Sequence, residues 1–387
     1  MRSVYKTKPK MSVTIKKVES KRDLLEFVEF PLRLYKDVPY YVPGLILDDI
    51  ATLNPKKNPA SEFCSQALFL AVDENGKTVG RVAAIINTIA NRDWNHSEVR
   101  YGWFDFIDDK EVSAALIAEV EKFGREAGMT EINGPLGFTD FDPEGMLVEG
   151  FDQMSSFALK YNFPYYKEHI EAMGFTKRID WLEYKVYIPK EIPEKILRVA
   201  AIVEEKFGLR VKPLTRRIVR KENIGRKIFE LINRTYQGLY DFTVLPPKMI
   251  DKYVKDYLSL LDLRFVSLIV DKDDKIVGVG ISMQSISRAT RKAGGRILPF
   301  GWIHLVKSMF LRFEESCELL LIGIDPEWQD KGVNALIFRD LIATFNKCGF
   351  KYAETNGELE TNLKVHSLWN LFDVEQNKRR RIYGKSL

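Results

Sequence analysis

Two stretches of the chain repeat each other. AVDENGKTVGRV (Ala71–Val82) and IVDKDDKIVGVG (Ile269–Gly280) carry Val72, Asp73, Lys77, Val79 and Gly80 in the first and Val270, Asp271, Lys275, Val277 and Gly278 in the second, at one spacing. Each reads as apolar strand, polar turn, apolar strand, the pattern of a β-hairpin. The repeat continues. Apolar residues at helical spacing follow, Val112, Leu116, Val120 and Phe123, then Leu341, Ile342 and Phe345, and each run ends on a glycine, Gly128 or Gly349. A short strand carrying Asn-Gly comes next, Asn133-Gly134 and Asn356-Gly357, and then a segment led by Asn162 or Asn362. Hairpin, strand, helix, strand and helix, twice in one order, predict two copies of one α/β unit with a mixed sheet. With 387 residues, each copy is long enough to bury its own core. Pro189 and Pro193 mark the passage between them. The predicted organisation is a basic N-terminal tail over 1–12, one unit over 13–190 and a second over 191–387.

The formal net charge of +5 is mild and does not by itself imply a nucleic-acid partner. Cys64, Cys317 and Cys348 are scattered and form no CxxC pair, which points to a reducing compartment without a disulfide framework. His96, His169, His304 and His366 lie far apart, so no metal site is expected. No apolar run is long enough to span a bilayer, and the segment MRSVYKTKPKMSV lacks the apolar core of a signal peptide. A cytoplasmic protein is expected. Arg288, Arg291, Lys292, Arg296, Lys307 and Arg312 surround Leu298, Phe300, Trp302, Val306 and Phe310 with no acid between Arg288 and Arg312. Two readings fit that segment: a core element with a solvated edge, or a peripheral contact with the anionic inner face of a membrane.

The stretch DPEWQDKGVNAL (Asp325–Leu336) follows an apolar strand and opens a helix. Backbone amides at a helix start have no intrahelical partner, and the macrodipole favours negative charge there. Glycine at the turn removes a Cβ that would hold a phosphate away. Gln329 and Gly332, with a strand before and a helix after, resemble the pyrophosphate loop of the acyl-CoA N-acyltransferases, the GNAT superfamily, whose pattern is Gln/Arg-x-x-Gly-x-Gly/Ala. Asn334 stands where that pattern has Gly or Ala. The first copy lacks the loop: Asp108, Asp109 and Glu111 occupy the corresponding helix start and would repel a phosphate. NGPLGFTDFDPEGMLVEGFD and YNFPYYKEHIEAMGF are similar to segments of a family of bacterial tandem N-acetyltransferase-like proteins of uncharacterised substrate.

The resemblance implies two tandem GNAT domains, with the second binding acyl-CoA or acetyl-CoA as donor and no metal. It implies direct attack of an amine on the thioester, with a backbone N–H near Leu321–Ile324 polarising the carbonyl and a base taking the ammonium proton. The donor site is expected at Ile322, Gly323, Ile324, Gln329, Lys331, Gly332, Val333, Asn334, Ala335 and Asn362. Glu354, Asn356 and Glu358 are candidate catalytic residues. Trp369 occupies the place where the superfamily often has an acidic tyrosine, which leaves Tyr383 as a substitute. The acceptor side is expected at Thr139 and Asp140, beside Asp142 and Glu144, and at Tyr161, Asn162 and Trp302. The acceptor expected is a small-molecule or lipid amine such as a sphingoid-type base. Two alternatives stand beside it. One is an aminoacyl-tRNA-dependent transferase of similar tandem fold using the basic run Arg216–Arg234; the other is a non-catalytic binding module.

Overall fold

The computed structural model describes residues 12–258, 261–311 and 314–387. Nearly all of the basic tail, and Arg312, lie outside the described residues. The first half runs β1 (Thr14–Lys17), α1 (Lys21–Leu34), α2 (Ile46–Leu53), β2 (Cys64–Val72), β3 (Thr78–Asn87), α3 (Thr88–Asp93), β4 (Glu98–Phe106), α4 (Lys110–Glu126), β5 (Glu131–Gly134), β6 (Met146–Glu149), α5 (Tyr165–Ala172) and β7 (Thr176–Tyr187). The second runs α6 (Glu194–Phe207), β8 (Arg210–Val211), α7 (Arg216–Lys221), α8 (Ile224–Tyr236), α9 (Pro247–Tyr253), β9 (Val266–Val270) and β10 (Ile276–Gln284), then α10 (Ser287–Lys292) and α11 (Gly301–Leu311). It ends with β11 (Ser316–Ile324), α12 (Val333–Cys348), β12 (Tyr352–Thr355), β13 (Glu358–Leu359), α13 (Leu363–Leu368) and β14 (Asp373–Ser386).

The repeated aspartate explains the repeated hairpin. Asp73 Oδ1 accepts the amides of Asn75 and Lys77 in the β2–β3 turn, and Asp271 Oδ1 accepts those of Asp273 and Lys275 in the β9–β10 turn. Both turns are thereby held by one side chain. Gly128 and Gly349 end α4 and α12 at φ of 78° and 74°, the left-handed conformation that glycine adopts without a Cβ penalty.

All strands join one mixed sheet in the order β1-β2-β3-β4-β5-β14-β7-β12-β11-β10-β9-β8, with β6 and β13 attached to β14 and β7. The expected boundary at 190/191 falls between β7 and α6, yet the sheet crosses it unbroken. β14, last in sequence, lies in the first half's sheet between β5 and β7, pairing Tyr383 with Gly134 and Ile382 with Ile179. β7 then pairs with β12 of the second half. Buried charges fasten this seam: Lys378 Nζ lies 2.8 Å from Glu354 and 3.2 Å from Glu183, and Arg380 Nε donates to Glu183 at 2.6 Å. The helices α4 and α12 cover one face of each half. On the other face Phe27, Ile46 and Leu53 of the first half share a core with Phe229, Met249 and Tyr253 of the second.

Candidate active site

In the second half, β11 and β12 run parallel only from Ser316↔Tyr352 to Leu319↔Thr355. On its other side β11 bulges against β10: Ile281 faces Leu321 while Ser282 faces Leu319, which leaves Leu320 unopposed. A bulge re-aims the strand and ends pairing, so β11 parts from β12 beyond Leu319. The Tyr236 hydroxyl donates to the Ile322 carbonyl at 2.9 Å, and Gln329 Nε2 donates to the Ile324 carbonyl at 3.3 Å. Those carbonyls therefore point away from β10. In an extended strand the amide of a residue points the same way as its carbonyl, so the Ile322 and Ile324 amides face the opening.

The loop after β11 leads into α12, whose N-cap is Gly332 at φ 81°, with no side chain capping the first turn. Val333 and Ala335 bury their side chains in the core, which leaves the helix start to present backbone. Asp330 also sits at positive φ, 62°, and Lys364 holds its carboxylate at 2.8 Å. Lys331 stacks over the Trp328 ring, 4.7 Å from its centroid. Gly332 has a packing reason to be glycine: a Cβ there would lie 2.7 Å from Val199 of α6. Gly323 packs against Ile232 of α8, so it supports the strand from behind.

The first half shows the same splay, filled. Trp103 bulges in β4 at φ 44°. In the cleft beyond it, Tyr35 donates to Asp105 at 2.7 Å, shares a 2.8 Å bond with Tyr166, and Asp105 pairs with Arg81. The start of α4 is taken by its own Asp109, which accepts the Glu111 amide. The carboxylates read from the sequence do occupy that helix start.

Between the halves, at the open splay, lies a cavity of about 790 Å³, toward the upper end for small-molecule sites. Its walls are mostly apolar, including Leu47, Phe141, Ile281, Ile297, Leu305 and Met309. Its charged groups are mainly carboxylates. Glu358 accepts from Trp369 Nε1 at 2.9 Å, and burial pushes its carboxyl up to about 7. Asp140 accepts the Thr243 amide and is likewise raised by burial to about 7; Asp142 is raised to about 6.

Of the residues predicted from sequence, Ile322, Asn356, Glu358, Asn362 and Asp140 line this cavity. Asn356 buries an Oδ1 without a hydrogen bond, and Asn362 caps α13 through the Val365 amide. Others lie elsewhere. Glu354 faces the seam and is held by Lys378, so it is not free to accept a proton at the cavity. Tyr383 is buried in the first half's core and donates to Glu171 at 3.0 Å, because β14 carries it across. Thr139 is buried against the Tyr253 hydroxyl. Asn162 clasps the backbone of Leu147 through both amide atoms, and Tyr161 packs with Tyr35 and Leu147. Trp302 is on the outer side of α11, 47% exposed. Burial pushes the Cys64 thiol up to about 12 and raises that of Cys317, which suits neither to nucleophilic work. In the basic run, Arg226 pairs with Asp251 and Arg234 with Asp325, which leaves these two turned to the protein's own acids.

Sequence reasoning missed Asp48, Asp49, Lys160, Trp103, Tyr236 and Arg380, all of which line the cavity or bond to its wall. Asp48, Asp49 and Lys160 stood out only as charges inside otherwise apolar stretches, and Arg380 was hidden in the basic run Lys378–Arg381.

No family model matches the chain. Among curated proteins it is similar to the protein YghO of Escherichia coli (strain K12), 26% identical over 378 residues, covering 95% of this chain and 94% of the relative. It is also similar to the bacterial ceramide synthase of Caulobacter vibrioides, 24% identical over 380 residues and 96% of each chain. Among solved structures, a tandem GNAT protein from the clavulanic acid biosynthesis pathway superposes with a TM-score of 0.57 at 10% identity, over 97% of this chain and 98% of its own. A GCN5-related N-acetyltransferase from Sphaerobacter thermophilus does so with a TM-score of 0.50 at 10% identity, over 97% and 95%. The protein has the tandem GNAT fold, two acyltransferase-like α/β units in one chain.

Proposed function

We propose that the protein transfers an acyl group from acyl-CoA to the amine of a lipid-like acceptor. The observation that carries this reading is the large apolar cavity at the open splay, with an uncapped helix start on one side and buried carboxylates on the other. The diphosphate of the donor would meet the amides opening α12, and the thioester would lie along β11 where the Ile322 amide faces the opening. The amine nitrogen attacks the thioester carbon, the carbon–sulfur bond breaks, and CoA leaves as its thiolate, which takes up the proton that the attacking nitrogen sheds once bonded. Glu358, with a carboxyl near neutrality, takes the ammonium proton directly or through one water. The similarity to a ceramide synthase favours an acceptor of sphingoid type. The apolar volume matches a chain-bearing substrate better than a small polar amine.

Such a substrate lives in a bilayer, and the protein has a surface suited to one. Leu298 and Phe300 are 68% and 70% exposed, with Trp302 and Val306 beside them. Ile297, Leu305 and Met309 of the same segment turn inward to the cavity. Arg291, Lys292 and Lys307 surround the patch. Among the described residues no helix is long and apolar enough to cross a membrane, so the reading is of a peripheral contact at the cavity mouth. Arg296 is drawn away to Glu29.

The test is release of free CoA thiol from acyl-CoAs of different chain length, with long-chain amines as acceptors. Turnover that needs both substrates and is lost in Glu358→Gln is the expected result. Absence of CoA binding by calorimetry would remove the reading.

A further inference from the structure

The filled cleft of the first half is not filled completely. Beyond the Arg81–Asp105 pair it keeps a cavity of about 70 Å³ whose walls mix apolar side chains with Asp49, Glu144 and Lys160. Gly44, Asp49, Trp103, Pro143, Glu144 and Lys160 line both this cavity and the large apolar one. The two cavities thus adjoin across these residues, and the small one is the less apolar of the two. The groups at the junction lack partners. Among the described residues Glu144 makes no hydrogen bond or ion pair, and burial together with the charges of Asp140 and Asp241 holds its carboxyl well above the usual carboxylate range. Lys160 Nζ makes none either, and rests over the Phe157 ring. Arg380, whose side chain is 1% exposed, donates through Nη1 to the Lys160 carbonyl while its Nη2 is buried without a partner. A buried donor left unmade costs free energy that a ligand carrying a complementary group would recover, and a bound cation would favour the ionised form of Glu144.

We propose that the junction of the two cavities is the head-group site of the acceptor, in which Glu144 holds the ammonium while Lys160, and Arg380 Nη2 from the wall of the large cavity, face oxygen atoms next to it. A degenerate donor cleft would then serve as the acceptor's polar pocket, with the apolar tail left in the large cavity. The inference rests on the acyl-transfer reading for its chemistry, but amine binding alone tests the site.

The experiment is calorimetric titration of the full chain with dodecylamine, and separately with CoA, for the wild type, Glu144→Gln, Lys160→Met and Gly44→Ala. The last keeps all charges but places a methyl 2.7 Å from Asp49 Oδ2 and 2.8 Å from Lys160 Nζ, blocking the junction. Dodecylamine affinity should fall about tenfold or more in Glu144→Gln and fall in Gly44→Ala, with CoA affinity unchanged within about twofold. An amine with a neighbouring hydroxyl should lose further affinity in Lys160→Met, whereas dodecylamine should not. Wild-type amine affinity in both Glu144→Gln and Gly44→Ala, or no amine binding by the wild type, overturns the proposal. Loss of amine binding in the variants with no CoA binding by any protein leaves this site standing and removes the acyl-CoA reading instead.

Discussion

The Trp369 indole donates to Glu358 across 2.9 Å, from the position where a superfamily tyrosine was sought. The ring is not an acid. It tunes one, because a hydrogen bond to the ionised form favours that form. Burial works against it and wins, which leaves the carboxyl at about 7. As a base, Glu358 must be ionised, so turnover should rise with pH through about 7. Trp369→Phe removes the stabilising donor and should move that limb to higher pH. Glu358→Gln should abolish the limb and lower kcat by roughly 10²–10⁴-fold. A pH–rate profile of the three proteins checks this; an unchanged limb in both variants would exclude Glu358.

Asp140 gives a prediction about stability. Burial raises its folded value to about 7 from 3.8. The native state therefore keeps a proton that the unfolded chain releases, and stability declines as pH rises from about 4 through 7. Asp140→Asn keeps the oxygen that accepts the Thr243 amide and removes the charge. It should raise Tm by roughly 2–4 °C at pH 8 and leave it nearly unchanged at pH 4. Scanning calorimetry at both values reads the difference.

Gly332→Ala asks an alanine to sit at φ 81° with its methyl against Val199. The left-handed conformation alone costs about 1–2 kcal/mol, and the contact adds to it. Lower thermal stability and weaker CoA binding should appear together, since α6 would push the loop that presents the amides. Val199→Ala in the same chain should restore part of both.

Phe300→Asp with Trp302→Asp should release the protein from anionic vesicles in a flotation assay while CoA binding persists. Neutral vesicles should hold the wild type less well, and added salt should weaken the anionic contact, because each surface lysine or arginine contributes about 1 kcal/mol near such a membrane. Equal flotation of variant and wild type would place the membrane contact elsewhere.

The repeat made the two-unit plan readable, since a turn aspartate, a helix-ending glycine and an Asn-Gly strand are each imposed by local backbone geometry. Local rules do not report partners. Nothing near Tyr383 indicates that β14 pairs with β5, and so the sequence offered that tyrosine as the substitute acid when it belongs beside Glu171. Asp140 and Glu358 were found because carboxylates in strand ends and glycine-rich loops stand out. Lys160 and Arg380 were missed because their buried, underpaired state exists only after the halves close on each other. Asn162 and Tyr161 line the small cavity, but the Asn162 amide is spent on the backbone of Leu147, a role with no distinct sequence mark.

The placement of β14 has a consequence for synthesis. A ribosome finishes β5 and β7 long before the strand that belongs between them has been made, and the Thr176 hydroxyl waits for Gly384, 208 positions later. Until then those two strands expose edges that invite pairing with other chains. Expressing the first half alone should yield aggregate that a separately supplied second half rescues only when present during translation.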